Sequence, residues 1–553
     1  MTLQPALRDA AFRWIADDPN TETQAELQGV LAQALAGDAD AAADLADRMA
    51  SPLAFGTAGL RGPVRAGPNG MNEAVVVRTT VGVADWLRRN GHAGGIVIIG
   101  RDARHGSAVF LDAAAGVLAA AGFDVRTVGE PAPTPVTAFL VRRLNAVAGI
   151  QITASHNPPA DNGYKLYLEQ GAQIVPPTDR EIEALIAEVG PAVSVPRAAA
   201  RTTLASDLLA EYVTRVASLP RGDARRLRVA ATAMHGVGAA ALEEALRSAG
   251  FVDTHFVASQ RDPDPDFPTV SFPNPEEPGA TDLLLELASS VDADLAVALD
   301  PDADRCALGV RDRAGSWRML RGDETGVLLG NHVLATRPPA TRSADDLVAT
   351  TIVSSSLLSA VAAGYGVRYD ETLTGFKWLV RAGDGRGTGL VYAYEEALGH
   401  CVDPDHVRDK DGISAAVLAC DLAATLKADG RTLFDALDEL AVSHGLHVTE
   451  QISLRATAVA RIGELMSRLR AEPPARLAGS AVRAEDLRPR ADVLALRGDG
   501  VRVLVRPSGT EPKLKAYLQI VEQVRDEAGL PAAHDRAANR MARLRTEVSE
   551  LLG

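Results

Sequence analysis

Gly95-Ile-Val-Ile-Ile99 is an apolar run of strand character. It leads through an Ala-rich helical stretch from Ser107 to Ala121 and the turn Gly122-Phe123 into a second strand, Asp124-Val-Arg-Thr-Val128. The helical stretch is apolar on most faces, as a helix packed on a sheet should be. The same order of elements returns twice. Arg228-Val-Ala-Ala-Thr232 is followed by a helical stretch to Ser248-Ala249 and then Gly250-Phe251; Asp346-Leu-Val-Ala-Thr350 is followed by a helical stretch from Ser355 to Ala363 and then Gly364-Tyr365. A glycine closing each helix before an aromatic has a mechanical use, because the residue after a helix often needs positive φ. Three strand–helix–strand copies in register point to a repeated α/β unit.

Working outward, a later apolar strand in each copy runs into a polar cluster. Ala146 to Ile152 leads to Thr153-Ala-Ser-His-Asn-Pro158, Asp294 to Leu299 leads to Asp300-Pro-Asp-Ala-Asp-Arg305, and Gly389 to Tyr394 leads to Glu395-Glu-Ala-Leu-Gly-His400. Ligands of open α/β sheets gather beyond the carboxyl ends of strands, so the three clusters are expected to share one cleft. The C-terminal hundred residues read differently. Helical patterns at 459–470 and 535–552 flank strands at 502–505 and 514–520, and the loop Arg506-Pro-Ser-Gly-Thr-Glu-Pro-Lys513 lies between those strands. The expected fold is three similar α/β domains with mixed sheets plus a smaller C-terminal α+β domain around a central cleft. The expected boundaries are 1–50 (a helical extension), 51–205, 206–325, 326–446 and 447–553, with surface linkers near 191–201, 336–343 and 472–492.

The clusters carry recognisable chemistry. Asp300, Asp302 and Asp304 alternate after a buried strand, and in an extended chain alternate side chains share a face, so three carboxylates can converge on one hard cation. An EF-hand is excluded, because Arg305 and Arg311 stand where that loop needs Gly and Glu. Magnesium is the expected ion if the substrate is phosphorylated. Ser155 is a poor nucleophile without a base or a metal, and no hydrolase elbow surrounds it; beside a divalent cation it can hold or donate a phosphoryl group. The loop with Arg506, Ser508, Gly509 and Thr510 suits a second, non-reacting phosphate. Glu395 and Glu396 are candidates for sugar hydroxyls, and His156 or Lys410 for the hydroxyl proton.

The chain has 553 residues, 46% apolar and 23% charged, enough for several independently packed cores. A formal charge of −15 argues against a general affinity for nucleic acid or anionic membrane, so any phosphate site must be locally positive. Three cysteines, Cys306, Cys401 and Cys420, fit buried thiols better than a disulfide framework. No apolar run approaches a membrane span and the start lacks an apolar signal core, so a cytoplasmic protein is expected.

Taken together, Gly56-Thr-Ala-Gly-Leu-Arg61-Gly62, TASHNP, DPDADR, the double-Glu motif and RPSGT, in that order, resemble the α-D-phosphohexomutases, in particular their phosphoglucomutase and phosphopentomutase-like branch. The resemblance implies a four-domain, heart-shaped enzyme. Ser155 becomes the phosphoserine, which with Asp300, Asp302 and Asp304 surrounds Mg2+. Arg61 and Lys165 line the reacting phosphate, Arg305 follows the metal loop, and Thr374, Gly375 and Lys377 meet the sugar. Lys410 is a candidate acid/base beside His156, and Arg506, Ser508, Gly509 and Thr510 bind the distal phosphate. The third motif departs from the commoner Gly-Glu-x-Ser: Tyr394 stands for Gly and Ala397 for Ser, while Glu395 is kept. The implied reaction interconverts glucose 1-phosphate and glucose 6-phosphate through glucose 1,6-bisphosphate. Mannose and pentose phosphates stand behind glucose, and a metal-dependent sugar phosphatase or a silent sugar-phosphate sensor are the rivals. The only partner implied is a small phosphosugar; whether the chain is a monomer or dimer is left open.

Overall fold

The computed structural model describes residues 3–56, 58–455, 459–507 and 513–553. Helices Pro5–Asp17, Thr21–Leu35 and Ala39–Arg48 form the N-terminal extension. Asn20 and Asp38 cap the second and third by accepting backbone N–H bonds with their side chains. Ala11, Ile15, Leu27, Leu31 and Leu45 make a small core there that also takes in Ala66 from the body.

The repeated unit is visible in the strand order. The first sheet contains β1 (Leu60–Pro63), β2 (Ile96–Arg101), β3 (Asp124–Thr127), β4 (Ala148–Ile152), β5 (Asp161–Leu168) and β6 (Thr202–Thr203), ordered β1-β5-β4-β2-β3-β6. The second contains β7 (Arg228–Thr232), β8 (Asp253–Phe256), β9 (Leu295–Leu299), β10 (Cys306–Arg311) and β11 (Trp317–Met319), ordered β11-β10-β9-β7-β8. The third contains β12 (Leu347–Thr351), β13 (Arg368–Thr372), β14 (Leu390–Glu395) and β15 (Gly399–Cys401), ordered β13-β12-β14-β15. Each therefore holds the same motif: three parallel strands with the first in the middle, then a fourth strand folding back antiparallel on the third. The three polar clusters occupy the connections β4–β5, β9–β10 and β14–β15. They are one topological position used three times.

Central strands covered on both faces need continuous apolar sequence, and β9 and β12 are buried at every residue. Burial of Val97, Ile98 and Ile99 contributes about 1.5–3 kcal/mol per side chain. The first two helices close as expected, on Gly122 (φ 86°) and Gly250 (φ 93°). The third differs. Helix Leu357–Tyr365 runs through Gly364 and stops at Gly366, which is the residue in the left-handed region (φ 67°). Gly366 can adopt that conformation without steric cost, so the helix gains two residues over the expected end.

Helix Gly412–Ala428 is apolar on nearly every face and buried almost throughout, because it sits between the second and third units. One continuous core runs from Ile98 and Phe139 through Val229 and Leu308 to Val348 and Val417.

The C-terminal sheet is antiparallel: β16 (Leu446–Arg455), β17 (Arg476–Leu477), β18 (Ser480–Asp486), β19 (Leu494–Gly498), β20 (Val501–Pro507) and β21 (Lys513–Glu522), ordered β16-β21-β20-β19-β18-β17. The segment 472–492, expected as linker, thus carries β17 and β18. The strand β18, covered on its outer side only by the two-residue β17, is largely exposed with polar side chains on both faces, which leaves no period-2 signal to read. The long helix Leu530–Leu552 packs on β21 and β16. Among the described residues no helix is long and apolar enough to cross a membrane. The three cysteines are free and buried.

Candidate active site

Ser155 sits at the head of the β4–β5 connection, fully buried and in the left-handed region at φ 55°. That turn aims Oγ away from its own sheet, and it donates a hydrogen bond to Asp300 Oδ2 at 2.8 Å. Arg104 holds the turn in shape. Its guanidinium donates to the carbonyls of Ser155 (2.7 Å), Asn157 (2.6 Å) and Pro158 (2.7 Å).

The acidic loop closes on itself and on the first unit. One carboxylate oxygen each of Asp300, Asp302 and Asp304 lies within 4.8 Å of the other two, and all three side chains are buried. Thr134 donates its hydroxyl to Asp302 Oδ2 and its N–H to Asp302 O, so a helix of the first unit clamps a loop of the second. Lys165 Nζ reaches Asp302 Oδ2 and Asp304 Oδ2, both at 2.6 Å. Burial first, and then repulsion from Asp302 and Asp304, lift Asp300 well above the carboxylate range. Burial acts on Asp302 and Asp304 in the same sense, but Lys165 with the hydrogen bonds of Thr134 and Asp300 on Asp302, and Lys165 with Lys410 and Arg305 on Asp304, together outweigh it and hold both below their ordinary value. Lys165 itself is penalised by burial, yet the two aspartates keep it above its usual pKa. Asp302 Oδ1 and Asp304 Oδ1 are buried without a hydrogen-bond partner. Three carboxylates, two with orphaned oxygens, beside a serine hydroxyl form an all-oxygen donor set that fits a hard divalent cation.

The other expected residues gather around this floor. Arg61, placed by the antiparallel pairing of β1 with β5, donates to Asn157 Oδ1 at 3.1 Å, and burial lowers its pKa. His156 Nδ1 lies 3.3 Å from Ser155 Oγ; burial, then Arg305 and Arg61, hold the imidazole well below its ordinary pKa. Arg305 joins two units. Its N–H bonds Asp300 Oδ1, its guanidinium donates to Ala397 O, and Nη2 stands 3.8 Å from Glu395 Oε1. Lys410 Nζ is 3.4 Å from Asp304 Oδ2 and 5.4 Å above the Phe376 ring. Burial opposes its charge, but Asp304, Asp409 and Glu395 prevail and raise its pKa. Beside Phe376, Gly375 has φ 115°, Thr374 Oγ1 is buried and unpartnered, and Lys377 Nζ points to Gly56 O at 3.4 Å.

The two glutamates part company. Glu395 faces Arg305 in the cleft, whereas the Glu396 carboxylate accepts from Thr351 Oγ1 (3.0 Å) and Ser354 Oγ (2.9 Å) and is committed to its own unit. Arg506 lies near the end of β20 beside Tyr517. Ser508, Gly509 and Thr510, like Thr57, lie outside the described residues.

Each unit matches a family description of its own. Residues 52–192 match phosphoglucomutase/phosphomannomutase alpha/beta/alpha domain I, 210–315 domain II, 321–442 domain III, and 466–529 the C-terminal domain. The chain belongs to the phosphoglucomutase/phosphomannomutase family. As an α-D-phosphohexomutase it is an intramolecular phosphotransferase of the isomerase class. A probable phosphomannomutase of Haemophilus influenzae is 42% identical over 81% of this chain and 93% of its own length. A human phosphopentomutase is 34% identical (79% and 75%), and a Staphylococcus aureus phosphoglucomutase 32% (85% and 90%). A putative phosphomannomutase structure from Thermus thermophilus shares the fold, with TM-score 0.70 at 24% identity over 90% of this chain and 99% of that one.

Sequence reasoning about this phosphohexomutase passed over Arg104, Thr134 and the supports of Lys410. Asp409 Oδ2 accepts from Tyr167 OH (2.8 Å) and Gln173 Nε2 (2.6 Å), and Asp411 Oδ1 from Tyr212 OH (2.9 Å), so three residues far along the chain hold the lysine segment. For Arg104 a signal existed. Asp102-Ala-Arg104 follows the apolar β2 just as the serine loop follows its neighbour β4.

Proposed function

We propose that this chain interconverts α-D-glucose 1-phosphate and glucose 6-phosphate, with Ser155 carrying the phosphate in transit. The observation that carries the reading is the 2.8 Å contact of Ser155 Oγ with Asp300 Oδ2, which puts a nucleophile and a carboxylate cluster from two domains at one point. Asp300, Asp302, Asp304 and the Ser155 oxygen would hold Mg2+. When bound, the ion offsets negative charge on the phosphoryl oxygens.

Phospho-Ser155 yields its phosphoryl group to the free hydroxyl of a hexose monophosphate. The new P–O bond forms to the sugar as the P–Oγ bond breaks, giving enzyme-bound glucose 1,6-bisphosphate. After the sugar turns, its other phosphate returns to Ser155. The proton given up by the attacking sugar hydroxyl ends on Ser155 Oγ. His156, 3.3 Å from Oγ and held neutral by burial and its arginine neighbours, exchanges a proton at the serine oxygen, while Lys410, kept an ammonium by Asp304, Asp409 and Glu395, donates a hydrogen bond to the sugar oxygen. Arg61 and Arg305 counter the reacting phosphate. Glu395 accepts from the ring hydroxyls, and Arg506 with Ser508, Gly509 and Thr510 grips the distal phosphate. That grip converts remote binding into alignment.

Initial rates on glucose, mannose and ribose 1-phosphates, with trace bisphosphate and inorganic phosphate followed in parallel, test the reading. Fastest isomerisation of the glucose ester, little phosphate release and loss of turnover in Ser155→Ala support it. Isomerisation that survives Ser155→Ala removes the mechanism, and a faster mannose or ribose ester removes the substrate.

A further inference from the structure

We infer that Ser354 and Arg502 are positioning residues that tie the sugar-recognition motif to the distal phosphate loop; this rests on the roles proposed above for Glu395 and Arg506. The segment Thr351-Ile-Val-Ser-Ser-Ser356 leaves the end of β12, next to β14 in the sheet. Ser354 Oγ donates to Glu396 Oε2 (2.9 Å) and accepts from Glu396 N (3.1 Å), while Thr351 Oγ1 adds a second bond to the same carboxylate oxygen (3.0 Å). Glu396 is thereby fixed, and with it the backbone that carries Glu395.

The other side of this segment is held by the C-terminal domain. Arg502 Nη2 donates to Ser354 O and, at 2.8 Å, to Gln519 Oε1. Gln519 completes a ring by donating Nε2 to Ser356 Oγ (2.6 Å) and accepting from Ser356 N (3.0 Å). Ser355 N donates to Asp323 Oδ1 (2.6 Å), and Thr449 of β16 donates to the second oxygen of Asp323 (2.8 Å). Ser354, Ser355, Arg502 and Gln519 are all buried, so breaking one bond strands a polar group away from water.

Arg502 lies on β20, four residues before Arg506. In an extended strand positions four apart share a face, so the anchored and the phosphate-facing arginines belong to one stiff element. Contact at Glu395 and placement of the distal loop are then one mechanical unit: Glu396, Ser354, Arg502, β20, Arg506.

The experiment is a mutant cycle on the full-length enzyme with glucose 1-phosphate, reading kcat, KM, thermal midpoint and inorganic phosphate released per isomerisation. Ser354→Ala should lower kcat/KM about tenfold, as misplacement of a remote anchor does, and raise phosphate release per turnover. In an Arg506→Ala background the same substitution should change kcat/KM by no more than about twofold, because the link has nothing left to position. An equal loss in both backgrounds overturns the coupling and leaves Ser354 a structural residue. Arg502→Met probes the link from its other end, and Arg502→Lys, which keeps a donor for Ser354 O, should recover part of the loss. Should Arg502→Met not fold, the Ser354 cycle decides alone. Failure of the underlying reading looks different: Arg506→Ala by itself then runs at the wild-type rate.

Discussion

Lys165 Nζ stands 2.6 Å from Asp302 Oδ2, with neither side chain exposed, although one is on a strand of the first sheet and the other in a loop of the second unit. The ammonium also serves Asp304, so one positive charge stabilises two buried carboxylates. Removing one partner of such a cluster costs about 3–5 kcal/mol, because the charges left behind are neither solvated nor paired. Lys165→Met should lose about that much stability in EDTA and regain part of it in excess magnesium. Urea unfolding under both conditions is the measurement. An equal loss with and without the ion means that no cation shares those carboxylates.

Arg104 should matter to the chemistry although its hydrogen bonds go to backbone carbonyls. Its fork satisfies three carbonyls of the serine turn, a geometry that a single ammonium cannot reproduce. Arg104→Lys should slow phosphorylation of Ser155 by glucose 1,6-bisphosphate about 100-fold. The folded state should lose about 1–3 kcal/mol, the cost of a stranded buried acceptor. A phosphorylation rate close to wild type would show that the turn keeps its form unaided.

The repeat was legible because its signals are local: apolar strands, helix-closing glycines and a polar cluster in the same place each time. Ser155 and the three aspartates could be named as one cluster of candidates because their residue types announce their chemistry, and the fold does bring them together. What stayed hidden is what acts at a distance. Thr134, Tyr167, Gln173 and Tyr212 are ordinary residues in their own elements, and only the packing of the units against one another brings them to Asp302, Asp409 and Asp411. Gly236 is of the same kind. A Cβ there would lie 2.3 Å from the backbone of Pro301, so the turn that follows β7 supports the acidic loop by close approach. Glu396 looked equivalent to Glu395 on paper, and the position of Ser354 separates them.

Asp411 caps helix Gly412–Ala428 with Oδ1, while its Oδ2 is buried without a partner. Burial pushes its carboxyl up to about 6, against 3.8 for an ordinary aspartate. The folded state therefore binds this proton more tightly than the unfolded chain. The stabilisation is complete below the unfolded value and is lost as pH rises through about 6. Asn caps equally well and carries no titrating charge. Relative to wild type, Asp411→Asn should gain about 3 kcal/mol between pH 3 and pH 8, the shift multiplied by 1.36 kcal/mol per unit. A stability difference that stays flat over that window would refute the burial argument.

Position 397 offers the sharpest test of sugar choice. In the commoner form of this motif a serine hydroxyl accompanies the glutamate, and here Ala397 supplies only a methyl, with its carbonyl taken by Arg305. A site that hydrogen-bonds a substrate hydroxyl discriminates strongly against a substrate that cannot answer it, while a methyl is indifferent. Ala397→Ser should therefore widen the gap between glucose 1-phosphate and ribose 1-phosphate by about tenfold in kcat/KM, in favour of the hexose. The serine must do this without lowering the thermal midpoint, since its hydroxyl enters a half-exposed position rather than the core. An unchanged ratio of the two rates would place position 397 out of reach of the sugar, and preference would then have to arise from Glu395 and the Thr374–Lys377 loop.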